Sequence, residues 1–156
     1  SASFLTPNPA NASGTSSIAL GNAVTASQTS SIAIGDSGQS SGSDGSIKIG
    51  MGNNATNDGL ISIGNGGTVS GNLSIGMGYN TFTNGNNAVA IGTDASATAD
   101  NSVAIGAGIQ ATRNSFVSVN ALEIKNSTDA LIMYSPNQTA YRVTVSDAGV
   151  LVVTAV

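Results

Sequence analysis

The chain has 156 residues, a formal net charge of −4 and only 8% charged residues, while glycine alone occupies 20 positions. It contains neither cysteine nor histidine, which removes disulfides, thiolate metal sites and imidazole-based catalysis. The scarcity of Lys and Arg argues against a nucleic-acid partner, and no apolar run approaches the length of a membrane-spanning helix. We therefore predict no cofactor, no metal site, no catalytic residues, no nucleic-acid partner and no membrane insertion.

Residues 1–14 show no repeat and are predicted to form an extended N-terminal arm, because Pro7 and Pro9 disfavour a helix. Two interpretations stay open: a frayed terminus, or an attachment arm that orders on a partner. The opening Ser-Ala-Ser fits a start from which Met has been removed, and hence synthesis without an export signal. A trimmed polypeptide would begin in the same way.

Residues 15–120 repeat a five-residue phrase in which two aliphatic residues alternate with small residues before a closing glycine. The eight phrases end at Gly21, Gly35, Gly50, Gly64, Gly76, Gly92, Gly106 and Asn120. Most spacings are 14 residues, which predicts one coil of a solenoid per repeat. Gly76 comes early, so we predict a short coil followed by a long one, whose extra loop would hold Tyr79 and Phe82.

Each phrase predicts a short strand, and weaker strands such as 23–26, 95–99 and 109–112 lie between the phrases. Because strand side chains alternate between faces, the two aliphatic residues are expected to point one way, into a narrow core. The small residue between them would point the other way, onto a crowded face where another chain packs. The predicted trimer-interface residues are Ala19, Ala33, Lys48, Ser62, Ser74, Ala90, Ala104 and Ser118.

Lys48 is the exception among those small residues. An unpaired ammonium is costly to bury, so Lys48 is expected to reach a turn carboxylate (Asp36, Asp44 or Asp58) or a wet gap. Coils this thin bury little apolar area each, which makes a single chain marginal and favours association.

Residues 121–156 change character. Four strand-like runs, at 121–125, 130–135, 140–146 and 150–156, are separated by turns of three or four residues. This spacing predicts an antiparallel β-meander, which would serve as a trimerisation element or a tip.

The phrase Ser102-Val103-Ala104-Ile105-Gly106, preceded by residues 95–101, resembles the head repeats of trimeric autotransporter adhesins (YadA-like). The resemblance covers about residues 17–120 and is most specific in 88–120. It implies a left-handed parallel β-roll of about seven coils, three chains side by side, and binding to host surfaces. That family also needs an export signal, a stalk and a membrane anchor, none of which is expected in this chain.

Residues 131–149 are similar to C-terminal segments of phage tail-fibre and other virion proteins, with Gln138 where a glycine is commonest. The combined prediction is an all-β homotrimer: a parallel β-roll followed by the antiparallel meander. Its predicted function is that of a non-enzymatic structural or receptor-binding virion protein of a bacteriophage: a short fibre, a spike or a capsid decoration on the tail or capsid surface. The N-terminal arm would contact other virion proteins.

Two alternatives stay open. One is the head domain of a bacterial trimeric surface adhesin, located at the cell surface. The other is a glycan-cleaving tailspike, which is disfavoured because the carboxylates are scattered singly along the sequence. In the virion and adhesin readings a host glycan or protein is a further expected partner, and the candidate receptor contacts are Tyr79, Phe82, Tyr134 and Tyr141.

Overall fold

The computed structural model describes residues 9–37, 39–40, 44–123, 131–146 and 148–155. The chain divides into two compact units, Ser1–Asn120 and Ala121–Val156. Every regular element among the described residues is a β-strand, which confirms the predicted all-β class.

The first unit is a solenoid of about seven turns, built from two parallel eight-stranded sheets. The short-strand sheet contains β1 (Asn11–Ala12), β3 (Thr25–Ala26), β5 (Gln39–Ser40), β7 (Asn54–Ala55), β9 (Thr68–Val69), β11 (Phe82–Thr83), β13 (Ser96–Ala97) and β15 (Gln110–Ala111). The long-strand sheet contains β2 (Ile18–Asn22), β4 (Ile32–Asp36), β6 (Ile47–Met51), β8 (Ile61–Asn65), β10 (Ile75–Tyr79), β12 (Val89–Ile91), β14 (Val103–Ile105) and β16 (Val117–Val119). Successive coils alternate between the sheets, so each strand pairs with its equivalents one coil before and one coil after it. The first strand begins at Asn11, within the stretch predicted as the arm, of which residues 1–8 lie outside the described residues.

The register corrects one predicted repeat. Gly78 pairs with Gly64, and Gly76 pairs with the middle residue Ser62. The closing glycine of this coil is therefore Gly78, and no extra loop is inserted before Phe82, which pairs with Thr68. The prediction of a short and a long coil was wrong because Ile75-Gly76-Met77-Gly78 contains two glycines, either of which can end the phrase.

The closing glycines are required by backbone geometry. Gly64 has a φ of 134°, a conformation that side chains rarely adopt, and a Cβ there would lie 1.9 Å from the carbonyl oxygen of Gly78. Gly92 repeats this arrangement with a φ of 130° against Gly106. The coils therefore stack so closely at this corner that only glycine fits.

The interior of the solenoid is filled by small side chains. Ala33, Ala90 and Ala104 point inward from the long-strand sheet and are fully buried. Ala97 and Ala111 face them from the short-strand sheet and are equally buried. A coil of 14 residues encloses only a thin space between its two strands, and small side chains fill that space without strain.

This burial overturns the predicted assignment of faces. The trimer-interface candidates Ala33, Lys48, Ser62, Ala90 and Ala104 are buried inside their own chain, so they cannot contact another. Ala19 and Ser118 hold the same position in the two end coils and are partly buried. The eighth candidate, Ser74, belongs to a different position of the repeat: it precedes the first aliphatic residue and donates a 2.7 Å hydrogen bond to the carbonyl oxygen of Gly85.

The second unit is a three-stranded antiparallel sheet made of β17 (Leu131–Tyr134), β18 (Ala140–Val145) and β19 (Leu151–Ala155), with β18 in the centre. Gln138 closes the first turn with a φ of 68° and donates its N–H to Ser135. Residues 121–123 form no strand, so the first predicted run of the meander is not confirmed; its remaining residues lie outside the described residues.

Candidate interaction surface

The outer side of the long-strand sheet carries two aliphatic side chains on every strand. We call this surface the aliphatic face: Ile18, Leu20, Ile32, Ile34, Ile47, Ile49, Ile61, Ile63, Ile75, Met77, Val89, Ile91, Val103, Ile105, Val117 and Val119. The parallel register stacks equivalent residues on one another, as in the column Val89, Val103 and Val117. The face is therefore continuous along the whole solenoid.

These side chains are far more exposed than an ordinary core. Ile49, Ile91 and Ile105 are 37%, 38% and 43% exposed, and Leu20 near the N-terminal end is 51% exposed. The sixteen residues contain no polar or charged side chain. Soluble monomers rarely expose a continuous apolar patch of this size, so the aliphatic face is a candidate for burial against a partner.

The outer side of the short-strand sheet has a different chemistry. Its outward residues are polar in every described coil except at Phe82: Thr25, Asn54, Thr68, Ser96 and Gln110. Such residues are compatible with water. The contrast between the two sheets indicates that only the aliphatic face requires a covering chain.

Lys48 points into the interior, where its side chain is 2% exposed. Its Nζ has no hydrogen-bond partner among the described residues. Burial lowers the pKa of the ammonium from 10.5 to about 8, because the charged form loses hydration. The predicted contact with a turn carboxylate is therefore absent from the described part of the chain.

The hydroxyls of Ser62 and Thr81 are likewise buried without a partner there. A Cβ added at Gly67 would lie 2.9 Å from Thr81 Oγ1 and 3.4 Å from Ser62 Oγ. The middle coils thus have a polar interior, unlike the alanine-lined coils that follow them.

The carboxylates of the solenoid stabilise its corners. Asp44 Oδ1 accepts the N–H of Thr29 at 3.0 Å, and Asp58 Oδ1 accepts the N–H of Asp44 at 3.0 Å. Asp100 Oδ1 accepts the N–H of Asn86 at 2.8 Å. Each of these aspartates therefore bonds to the backbone one coil earlier, a structural role consistent with single acids at turns. Within the ranges described above, no cluster of three or more acidic residues could hold a metal ion.

The aromatic candidates are scattered. Tyr79 ends β10 and is 59% exposed, while Phe82 begins β11 and is 43% exposed. Tyr134 is 70% exposed on β17, and Tyr141 is half-buried on β18. Tyr79 and Phe82 lie three residues apart at one corner of the solenoid, whereas the other two belong to the C-terminal sheet.

The fold and its uncovered face define a class of protein: a parallel β-solenoid built for side-by-side association. Residues 12–37, 70–95 and 84–108 match the family model of the YadA head domain repeat (2 copies). The solenoid is therefore built from YadA-like β-roll head repeats, as predicted. No curated protein matched the chain.

The match bears on the predicted functions. YadA head repeats favour the adhesin head, which was the alternative, over the virion protein that the sequence analysis placed first. The matched ranges end at residue 108, so the resemblance of the C-terminal segment to virion proteins finds no support, and neither does a location on a virion. No helix long and apolar enough to cross a membrane occurs among the residues described here.

Proposed function

We propose that this chain forms part of the head of a homotrimeric adhesin on a bacterial surface. The observation that carries the proposal is the aliphatic face, which leaves two apolar side chains per strand without a partner. The matched YadA head repeats support the same reading, because heads of that kind are homotrimers. The proposed role is binding, without enzymatic activity.

The extent of the face suits a specific interface. If each of its sixteen side chains keeps about 50 Å² exposed, the face offers roughly 800 Å² per chain, the area that one partner of a standard interface buries. In a closed trimer three copies of this face meet around one axis, which leaves the polar short-strand sheets on the outside. This arrangement explains why only one of the two sheets is apolar on its outer side.

The proposal is tested by charging one sheet at a time. Ile91→Asp places a carboxylate in the aliphatic face, and Ser96→Asp places one on the outer side of the short-strand sheet in the same coil. We expect the wild type and Ser96→Asp to sediment as trimers at micromolar concentration and Ile91→Asp to sediment as a monomer. A wild-type chain that is a folded monomer at that concentration would refute the proposed association.

The adhesive role needs a surface that stays exposed in the trimer. Tyr79 and Phe82 are the exposed aromatic residues nearest to each other on the solenoid, and aromatic rings suit contacts with sugars or protein side chains. We expect Tyr79→Ala and Phe82→Ala to weaken binding of the purified trimer to host cells, while Thr93→Ala, one coil further along, leaves binding unchanged. Loss of binding must occur without loss of the trimer, which sedimentation checks.

A further inference from the structure

The C-terminal sheet has one face that is apolar throughout. The register places Leu131 beside Val143 and Val143 beside Val153, so their side chains share one side of the sheet. We call this side the C-terminal apolar face: Leu131, Met133, Tyr141, Val143, Val145, Leu151, Val153 and Ala155. A shallow depression in it is lined by Met133, Tyr141, Val143 and Val153, with Tyr134 and Ser135 completing the lining.

The opposite face is mixed. It carries Arg142, Thr144 and Thr154, together with Ile132 and Val152. A charged guanidinium and two hydroxyls are readily solvated, whereas the C-terminal apolar face offers no polar group except the Tyr141 hydroxyl. The sheet therefore has one side suited to water and one side suited to a second apolar layer.

That second layer is missing from the described part of this unit, which consists of a single sheet. On the C-terminal apolar face, Val145, Leu151 and Val153 remain 67%, 65% and 58% exposed. A sheet of three strands needs packing on one face to be stable. The C-terminal sheet thus requires a partner, as the solenoid does.

We propose that this partner is the same face of the other two chains, so that three C-terminal sheets pack together as a second trimer contact. The inference rests on the proposed homotrimer, because the solenoids then bring three copies of the sheet together. Each copy supplies one apolar face and one mixed face, so a closed arrangement of three buries all the apolar faces and keeps all three copies of Arg142 outside.

The area explains why the tether matters. Eight side chains that each keep about 50 Å² exposed give roughly 400 Å² per chain, half of what one partner of a stable interface buries. Free sheets would therefore associate weakly. Attachment to a trimeric solenoid raises their effective concentration to about the millimolar range, at which a weak contact forms.

Single cysteines test the contact in the full chain, which has no cysteine of its own. Val143→Cys lies at the centre of the C-terminal apolar face, and Thr144→Cys is the next residue on the same strand, pointing to the other side. We expect a short bis-maleimide to cross-link Val143→Cys into covalent dimers, with a yield several-fold above that of Thr144→Cys and independent of dilution. Equal yields from the two variants, in a chain that sediments as a trimer, would overturn the inference.

A second pair of variants separates packing from local geometry. Val153→Asp charges the C-terminal apolar face, and Thr154→Asp charges the opposite face of the same strand. We expect Val153→Asp to raise the amide hydrogen exchange of β17–β19 at least ten-fold while the solenoid stays trimeric, and Thr154→Asp to leave exchange unchanged. A wild-type monomer would refute the proposed function itself, whereas a trimer in which both variants exchange alike would refute only the C-terminal contact.

Discussion

Lys48 offers the most direct test of the inverted solenoid, since it is the only charged side chain buried among the described residues. Its folded-state pKa of about 8 lies below the ordinary 10.5, so the unfolded chain binds more protons between these two values. Stability must therefore rise as the pH increases from about 8 to 10.5, and it must be flat below pH 8, where both states carry the charge.

The magnitude follows from the two pKa values. Their separation corresponds to about 3 kcal/mol of unfolding free energy. Some water reaches a side chain in so thin a solenoid and screens the charge, so we expect a measured gain of about 2 kcal/mol per chain. Lys48→Met removes the charge while keeping a long unbranched side chain, and it should be more stable than the wild type by a similar amount at pH 7.

The assay is urea unfolding followed by circular dichroism at several values between pH 7 and 10, at a fixed chain concentration. The chain has no histidine or cysteine and only four Lys and Arg residues, so few other groups titrate in this range. The wild type should gain stability across it, whereas Lys48→Met should not. Lys48→Arg is the matched control: it cannot lose its proton, so it should stay destabilised at every pH. Identical pH slopes for the wild type and Lys48→Met would show that Lys48 is solvated or paired, and would refute the inward orientation.

Two further predictions concern the corners. Gly92→Ala should cost about 3 kcal/mol or more, because the new Cβ would lie 2.6 Å from the carbonyl oxygen of Gly106 at a φ of 130°; Gly108→Asn should cost under about 1 kcal/mol, because that site is open and its φ of 67° suits asparagine. Equal shifts in thermal midpoint for these two variants would contradict the stacking at the first corner. Asp100→Ala should cost about 1 kcal/mol by removing the acceptor for the Asn86 N–H, whereas Asp100→Asn should be nearly neutral, since an asparagine oxygen can accept the same bond. Urea unfolding measures both, and a large loss in Asp100→Asn would point to a role for the charge itself.

Much of the architecture could be predicted because the repeat is written into the sequence at nearly constant spacing. A glycine at the end of each phrase and a short second strand between phrases define a coil, and the antiparallel sheet follows from the turns after residues 135 and 146. Only the coil with two candidate glycines, Gly76 and Gly78, was misaligned. Equal spacing of 14 residues from Gly64 to Gly92 was the available signal for choosing Gly78.

The candidate site was harder to predict, because alternation does not reveal which face of a strand is inside. It separates Ile105 from Ala104 without assigning either to the interior, and the usual preference for buried aliphatic residues led to the wrong choice. The useful signal lay in the second strand of each coil, where Ala97 and Ala111 recur at the inward position. When both facing strands offer a small residue, those residues fit together across a narrow interior, and the larger residues must point outward.

This orientation changes where the stability of the protein comes from. A buried alanine contributes roughly one methyl group of hydrophobic free energy, under about 1 kcal/mol, while a fully buried isoleucine contributes about 1.5–3 kcal/mol. The solenoid encloses the small residues and leaves the large ones half-exposed, so most of the available hydrophobic free energy is released only when the aliphatic faces of different chains meet. Folding and association should therefore be coupled, with each chain marginal by itself and stable in the trimer. The same division explains why a lysine is tolerated at position 48: the interior contributes little to the total, so a polar interruption there costs less than a charge on the aliphatic face.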